Sequence, residues 1–147
     1  MFQSILVPID IEHRSSWEFA IPEALELARP GRAKLAVMTV VLDVQAMLRA
    51  VHLPYQLEDM VNAAQRRMAA IVKEYEGPGI EIEQVVRFGS IGREILNVAK
   101  DRAVDLIVMA SHRPEMRDYL IGPNAAHVSR HAACSVLVLR KFKDASR

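Results

Sequence analysis

Apolar and polar positions follow two rhythms along this chain. Short, nearly unbroken apolar runs occur at Ser4–Asp10 (SILVPID), Ala33–Leu42 (AKLAVMTVVL), Val104–Met109 and Val136–Leu139. Runs of that length, rich in valine and isoleucine, predict strands buried on both faces. Between them apolar residues recur three and four positions apart, the period of a helix with one buried face. In the first such segment Ser15 and Glu18 form a capping box, and Phe19, Ala20, Ala24, Leu27 and Ala28 share a face. A helix is expected over Ser16–Ala28, kinked near Ile21, because Pro22 inside a helix removes one hydrogen bond and crowds the preceding turn.

Pro30 and Gly31 end that segment, and the second strand follows. Asp43–Gln56 has no clean period and contains Pro54, so it reads as a loop with one helical turn over Gln45–Ala50. Leu57–Tyr75 is a solvated outer helix with Met60, Ala64, Met68, Ile71 and Val72 inward and Arg66, Arg67, Lys73 and Glu74 outward. After the turn Gly77-Pro78-Gly79, residues Ile80, Ile82, Val85 and Val86 lead to Gly89 as a more exposed strand towards a sheet edge. Ser90 stands where it can cap a helix lined by Ile91, Ile95, Leu96, Val98 and Ala99. The run Gly122–Ala132 is helical, with Gly122 as cap and Pro123 at the first helical position, where its missing N–H is harmless.

Five strands alternating with helices predict an α/β fold, an open parallel sheet covered by helices on both faces. At 147 residues and 51% hydrophobic, residues 1–147 are expected to form one domain. Nineteen basic and eighteen acidic side chains give a net charge of +1, which argues against nucleic acid or an anionic membrane as partner. No apolar run approaches the roughly 18 residues of a membrane span, and Met1–Asp10 lacks the basic start of a signal peptide. One cysteine, Cys134, leaves no internal disulfide and fits the cytoplasm; it reads as a packing residue.

In such sheets ligands bind beyond the carboxyl ends of the strands, where successive connections leave in opposite directions. Asp10 follows the first strand, Thr39–Val41 end the second, and Ala110–Arg113 follow the fourth. Asp10 alone reads more readily as a turn residue or cap than as a ligand, and Val40 as a core strand residue. His112 is a base candidate by its place beside the loop, but no carboxylate, lysine or metal-ligand cluster accompanies it at a recognisable spacing, so hydrogen bonding to the backbone is the plainer role. His127 and His131 share a helix face without the glutamate and third ligand of a zinc motif, so no metal site is assigned. Arg130 reads as solvent-facing or paired, and Arg140, Lys141, Lys143 and Arg147 as a solvated tail.

ILVPID at Ile5–Asp10, the valine-rich second strand, LIVMASH at Leu106–His112 and GPNAAHVSRHAACSVLVLR at Gly122–Arg140 together resemble the universal stress protein family over the whole chain. The SHRP loop and the Gly-x-Asn-Ala-Ala helix start resemble a subgroup within it. The resemblance implies a Rossmann-like sheet, of the adenine nucleotide alpha hydrolase kind, with strand order 3-2-1-4-5 and its switch point between strands one and four. It also implies ATP there, with AMP or ADP as alternatives and Mg2+ accompanying ATP. Pro8 and Ile9 would flank adenine, the Val40 backbone would pair with its edge, and Asp10 would hold the ribose. Ala110, Ser111, His112, Arg113, Gly122, Pro123, Asn124 and Ala125 would line the phosphates. A homodimer through Ser135–Leu139, further protein partners and a non-enzymatic role in stress regulation complete the implication.

The family's nucleotide pattern is Gly, two residues, Gly, nine residues, Gly, then Ser or Thr. Here Ala110, Arg113, Gly122 and Pro123 take those four positions, with eight residues in the loop. A phosphate thereby loses a backbone donor and a hydroxyl, each worth roughly 1–3 kcal/mol against a charged acceptor. Asn124 and Ala125 still present N–H groups at the positive end of a helix, and Arg113 adds charge-assisted bonds. Three functions therefore stand: a nucleotide-binding dimeric regulator, a dimeric interaction module that has lost the nucleotide, and an ATP-hydrolysing or nucleotidyl-transferring enzyme resting on His112 and Asp10.

Overall fold

The computed structural model describes residues 1–42, 57–111 and 122–140. Strands β1 (Ser4–Pro8), β2 (Lys34–Leu42), β3 (Ile82–Gly89), β4 (Leu106–Ala110) and β5 (Ser135–Leu139) form one sheet in the order β3-β2-β1-β4-β5, with every ladder parallel. The helices are α1 (Ala20–Ala28), α2 (Leu57–Lys73), α3 (Ile91–Asp101) and α4 (Pro123–His131). Both the class and the strand order agree with expectation. The expected loop 43–56 and its helical turn 45–50, His112, Arg113, Lys141, Lys143 and Arg147 lie outside the described residues.

Side-chain alternation along each strand sorts the interior into two cores. Ile5, Val7, Leu35, Val37, Leu106 and Val108 face α1 and α2, meeting Ile21, Ala24, Met68 and Val72. Leu6, Ala36, Met38, Ile107 and Met109 face α3 and α4, meeting Ile95, Val98, Ala125 and Val128. Strands with apolar residues on both faces can be satisfied only in such a sandwich. Among the described helices none is long and apolar enough to cross a membrane.

The expected first helix departs from the structure at its start. Arg14–Ser16 forms a 3-10 turn, and α1 begins at Ala20 with Phe19 at the cap position and no side-chain cap bond. Pro22 explains this, because proline lacks an N–H and the first turn of a helix is where that absence breaks no intrahelical bond. The chain restarts the helix ahead of the proline instead of kinking it at Ile21. The Ser15–Glu18 capping box is not the start of α1. Phe19, expected on the inner face, is half exposed, whereas Trp17 is buried. Ser90 does precede α3 with extended backbone, but its side chain makes no cap bond. Gly122 caps α4 with Pro123 first, as the sequence indicated.

Candidate functional site

The connections β1–α1–β2 and β2–α2–β3 run over one face, while β3–α3–β4 and β4–α4–β5 run over the other. The chain therefore departs in opposite directions from β1 and β4, and the switch point lies between their carboxyl ends. The ladders part there. β1 pairs with β4 only at Ile5↔Leu106 and Leu6↔Ile107, but follows β2 as far as Pro8↔Met38. Pro8 has no N–H to extend a ladder, and past Leu6 and Ile107 the two strands share no rung, which is where a switch-point crevice is expected.

Pro8 and Ile9 are buried at the mouth of this crevice. The Ile9 N–H donates to the Met38 carbonyl at 2.8 Å, and the buried Thr39 hydroxyl donates to the Ile9 carbonyl at 3.0 Å. In a parallel ladder the N–H and C=O of alternate residues address the same neighbour. Val40, two residues beyond Met38, thus turns its backbone groups to the β1 side past the last rung that β1 supplies. Val40 is half-buried, and its β3 neighbour is Arg87.

Asp10 emerges into solvent, and its carboxylate is held by its own turn. Oδ1 accepts the Glu12 N–H at 2.9 Å, and Oδ2 lies 2.8 Å from His13 Nδ1. The turn reading of Asp10 is therefore realised, and it leaves acceptor capacity to spare. His13 and Ser16 were not singled out in the sequence; the recoverable signal was the three-residue spacing of Asp10, His13 and Ser16, a pattern suited to local side-chain bonds.

At the other wall, β4 ends in Ala110, and Ser111 donates its N–H to the Leu139 carbonyl at 2.8 Å. The Ser111 hydroxyl accepts the Gly122 N–H at 3.4 Å. This bond brings the start of α4 beside the end of β4, whatever the intervening segment does. The first intrahelical bond of α4 runs from the Ala126 N–H to the Gly122 carbonyl at 2.9 Å. The N–H groups of Asn124 and Ala125 precede it and belong to the helix end that carries partial positive charge. Asn124 is half-buried and Ala125 buried.

The His127 and His131 rings lie with centroids 4.7 Å apart and their planes tilted by 51°. Both are exposed. Burial, and to a lesser degree the Asp105 carboxylate, push the Cys134 thiol up against a lowering backbone hydrogen bond, which suits a packing residue. A separate cavity of about 660 Å3 lies beside α1, bordered by Phe19, Pro22, Leu25, Tyr75, Ala110 and Leu139. Of the sequence-derived site residues that the structure describes, only Ala110 reaches it.

Comparison with known proteins agrees with this architecture. Universal stress protein G of Escherichia coli O157:H7 is 29% identical over 151 residues, spanning 95% of this chain and all of the relative. The solved structure of hypothetical protein MJ0577 superposes with a TM-score of 0.77 at 22% identity, covering 98% of this chain and 99% of that one. An Arabidopsis thaliana universal stress protein family member solved with AMP bound superposes with a TM-score of 0.65 at 17% identity, over 99% and 96% of the two chains. The model of the universal stress protein family matches residues 1–140, and the chain belongs to that family.

Proposed function

We propose that this protein binds an adenine nucleotide, ATP in the first instance, in the crevice between β1 and β4. The observation that carries the reading is the parting of the two ladders past Leu6↔Ile107 at the switch point, with the start of α4 tied to Ser111 on one side. Pro8 and Ile9 border the base, Val40 offers backbone groups to its edge, and Asp10 accepts from the ribose. Ala110, Ser111, Gly122, Pro123, Asn124 and Ala125 surround the phosphates, joined by His112 and Arg113 from the loop in sequence. Mg2+ would accompany ATP as a shield for phosphate charge. The AMP held by the Arabidopsis relative supports an adenine nucleotide as the ligand class. The protein then acts as a cytoplasmic, dimeric, non-enzymatic stress regulator whose occupancy reports on the nucleotide pool, with β5 as the dimer edge.

The test begins with denaturing purified protein and analysing what it releases, followed by calorimetric titration of the nucleotide-free chain with ATP and AMP. Adenine nucleotide in the released fraction, or saturable binding below millimolar concentration, is expected. Neither release nor binding at millimolar ATP would sink the reading. Arg113→Glu is expected to weaken ATP by about tenfold through loss of a charge-assisted bond.

One observation favours a second reading, a dimeric interaction module with an empty crevice. Pro123 occupies the first position of α4, removing both an N–H and a hydroxyl from the helix end that would meet the phosphates.

A further inference from the structure

The turn after β1 is organised around the Asp10 carboxylate more completely than chain reversal requires. Its Oδ1 accepts the Glu12 N–H at 2.9 Å, the ordinary closure of an aspartate turn. Its Oδ2 sits 2.8 Å from His13 Nδ1. An ionised carboxylate only accepts, so Nδ1 is the donor and carries the proton. Ser16 fixes the backbone beneath: its hydroxyl accepts the Asp10 N–H at 2.8 Å, and its one proton faces the Asp10 carbonyl at 2.9 Å and the His13 carbonyl at 2.8 Å. Arg14, the nearest cation in sequence, is directed to Glu18 at 3.6 Å. Arg14 is therefore not the partner of the Asp10 carboxylate, which His13 alone among the turn's side chains meets.

A carboxylate has about four acceptor positions. The turn engages each oxygen once and leaves acceptor capacity on both. Two vicinal hydroxyls can each donate to one oxygen of such a carboxylate. We propose that His13 is the positioning residue that presents Asp10 to the cis-diol of a ribose, making the site select ribonucleotides over 2'-deoxyribonucleotides. The inference rests on the nucleotide reading above and adds to it the sugar that is chosen and the residue that chooses. Without His13, the Oδ2 side of the carboxylate loses its protein donor, and the plane of the pair of acceptors is set by Glu12 alone.

The side chains of His13 and Asp10 are 71% and 53% exposed, so water competes and the expected discrimination is modest, about tenfold. The experiment titrates wild type, His13→Ala and His13→Asn with ATP and with 2'-deoxy-ATP by calorimetry. Wild type should prefer ATP by about tenfold, the worth of one hydrogen bond to a charged acceptor. His13→Ala should bring the ratio close to one while leaving 2'-deoxy-ATP affinity within about twofold. His13→Asn, whose amide nitrogen stands near the place of Nδ1, should restore the preference. Retention of the wild-type ratio in His13→Ala, or equal weakening of both nucleotides, overturns the inference, the latter because it marks a merely structural turn. Equal wild-type affinity for the two nucleotides overturns it as well and leaves nucleotide binding intact. If wild type binds neither, the nucleotide reading falls and this inference falls with it.

Discussion

Asp105 is a single side chain that ties the middle of the sheet together at the end opposite the crevice. Its Oδ2 accepts the Gln3 N–H at 2.8 Å and its Oδ1 the Ser4 N–H at 3.1 Å. Its own N–H donates to the Ser4 carbonyl at 3.0 Å, and its carbonyl accepts the Ser135 N–H at 3.3 Å. Three strands thus converge on one residue. Asp105→Ala should lower stability by about 1–2 kcal/mol, because two N–H groups lose a charged acceptor in a partly solvated place. Urea unfolding checks this: the midpoint should fall at unchanged slope, and Asp105→Asn, which keeps one acceptor, should lie between. In the sequence Asp105 is simply a polar residue inside the expected strand Val104–Met109. Bonds to a segment about a hundred residues away leave no local trace. The Asp10–His13 pair was hidden for a different reason: its partners are only three residues apart, but spacing does not fix their rotamers.

Elements with a strong period were legible, and those whose bounds depend on one backbone detail were not. The five strands fall within a residue or two of their expected limits because continuous apolar runs have no alternative home. The start of α1 was misplaced because the Ser15–Glu18 box and the proline give opposite instructions, and the proline dominates when the first turn is available to it. The packing of α3 against α4 was not legible either, since it turns on Gly92. A Cβ built there would overlap His127 Cδ2 and stand 3.1 Å from His127 Cγ. Gly92→Ala should therefore lower stability by about 1 kcal/mol, although alanine is the better helix former by a similar amount. In a His127→Ala background the same substitution should become stabilising. A sign change in this double-mutant cycle, read by thermal or urea unfolding, is the expected outcome. A loss that is the same in both backgrounds would show that the imidazole is not what Gly92 accommodates.

For the whole molecule the two sheet edges differ. β3 carries Glu83 and Arg87, with Arg102 paired to Glu83 and Arg87 reaching Asp101 at 4.0 Å, and such charges discourage strand addition. β5 reads SVLVL, with four apolar residues left only partly covered. An edge of that kind asks for a partner, and the proposed dimer supplies one. Sedimentation of wild type should give twice the chain mass, and Leu139→Lys, at a strand end where the ammonium can reach water, should give a folded monomer. A wild type that stays monomeric at all concentrations would rule the dimer out. The sheet order also governs how the chain emerges from a ribosome. β1 is central but is made first, so its β2 edge is covered early, while β4 follows about sixty residues after β2 ends. At roughly 5–20 residues per second of synthesis, β1 waits several seconds with one edge open. The Asp105 carboxylate arrives with β4 and latches Gln3 and Ser4 as that wait ends. Nascent chains halted before residue 106 should thus be the ones that engage chaperones.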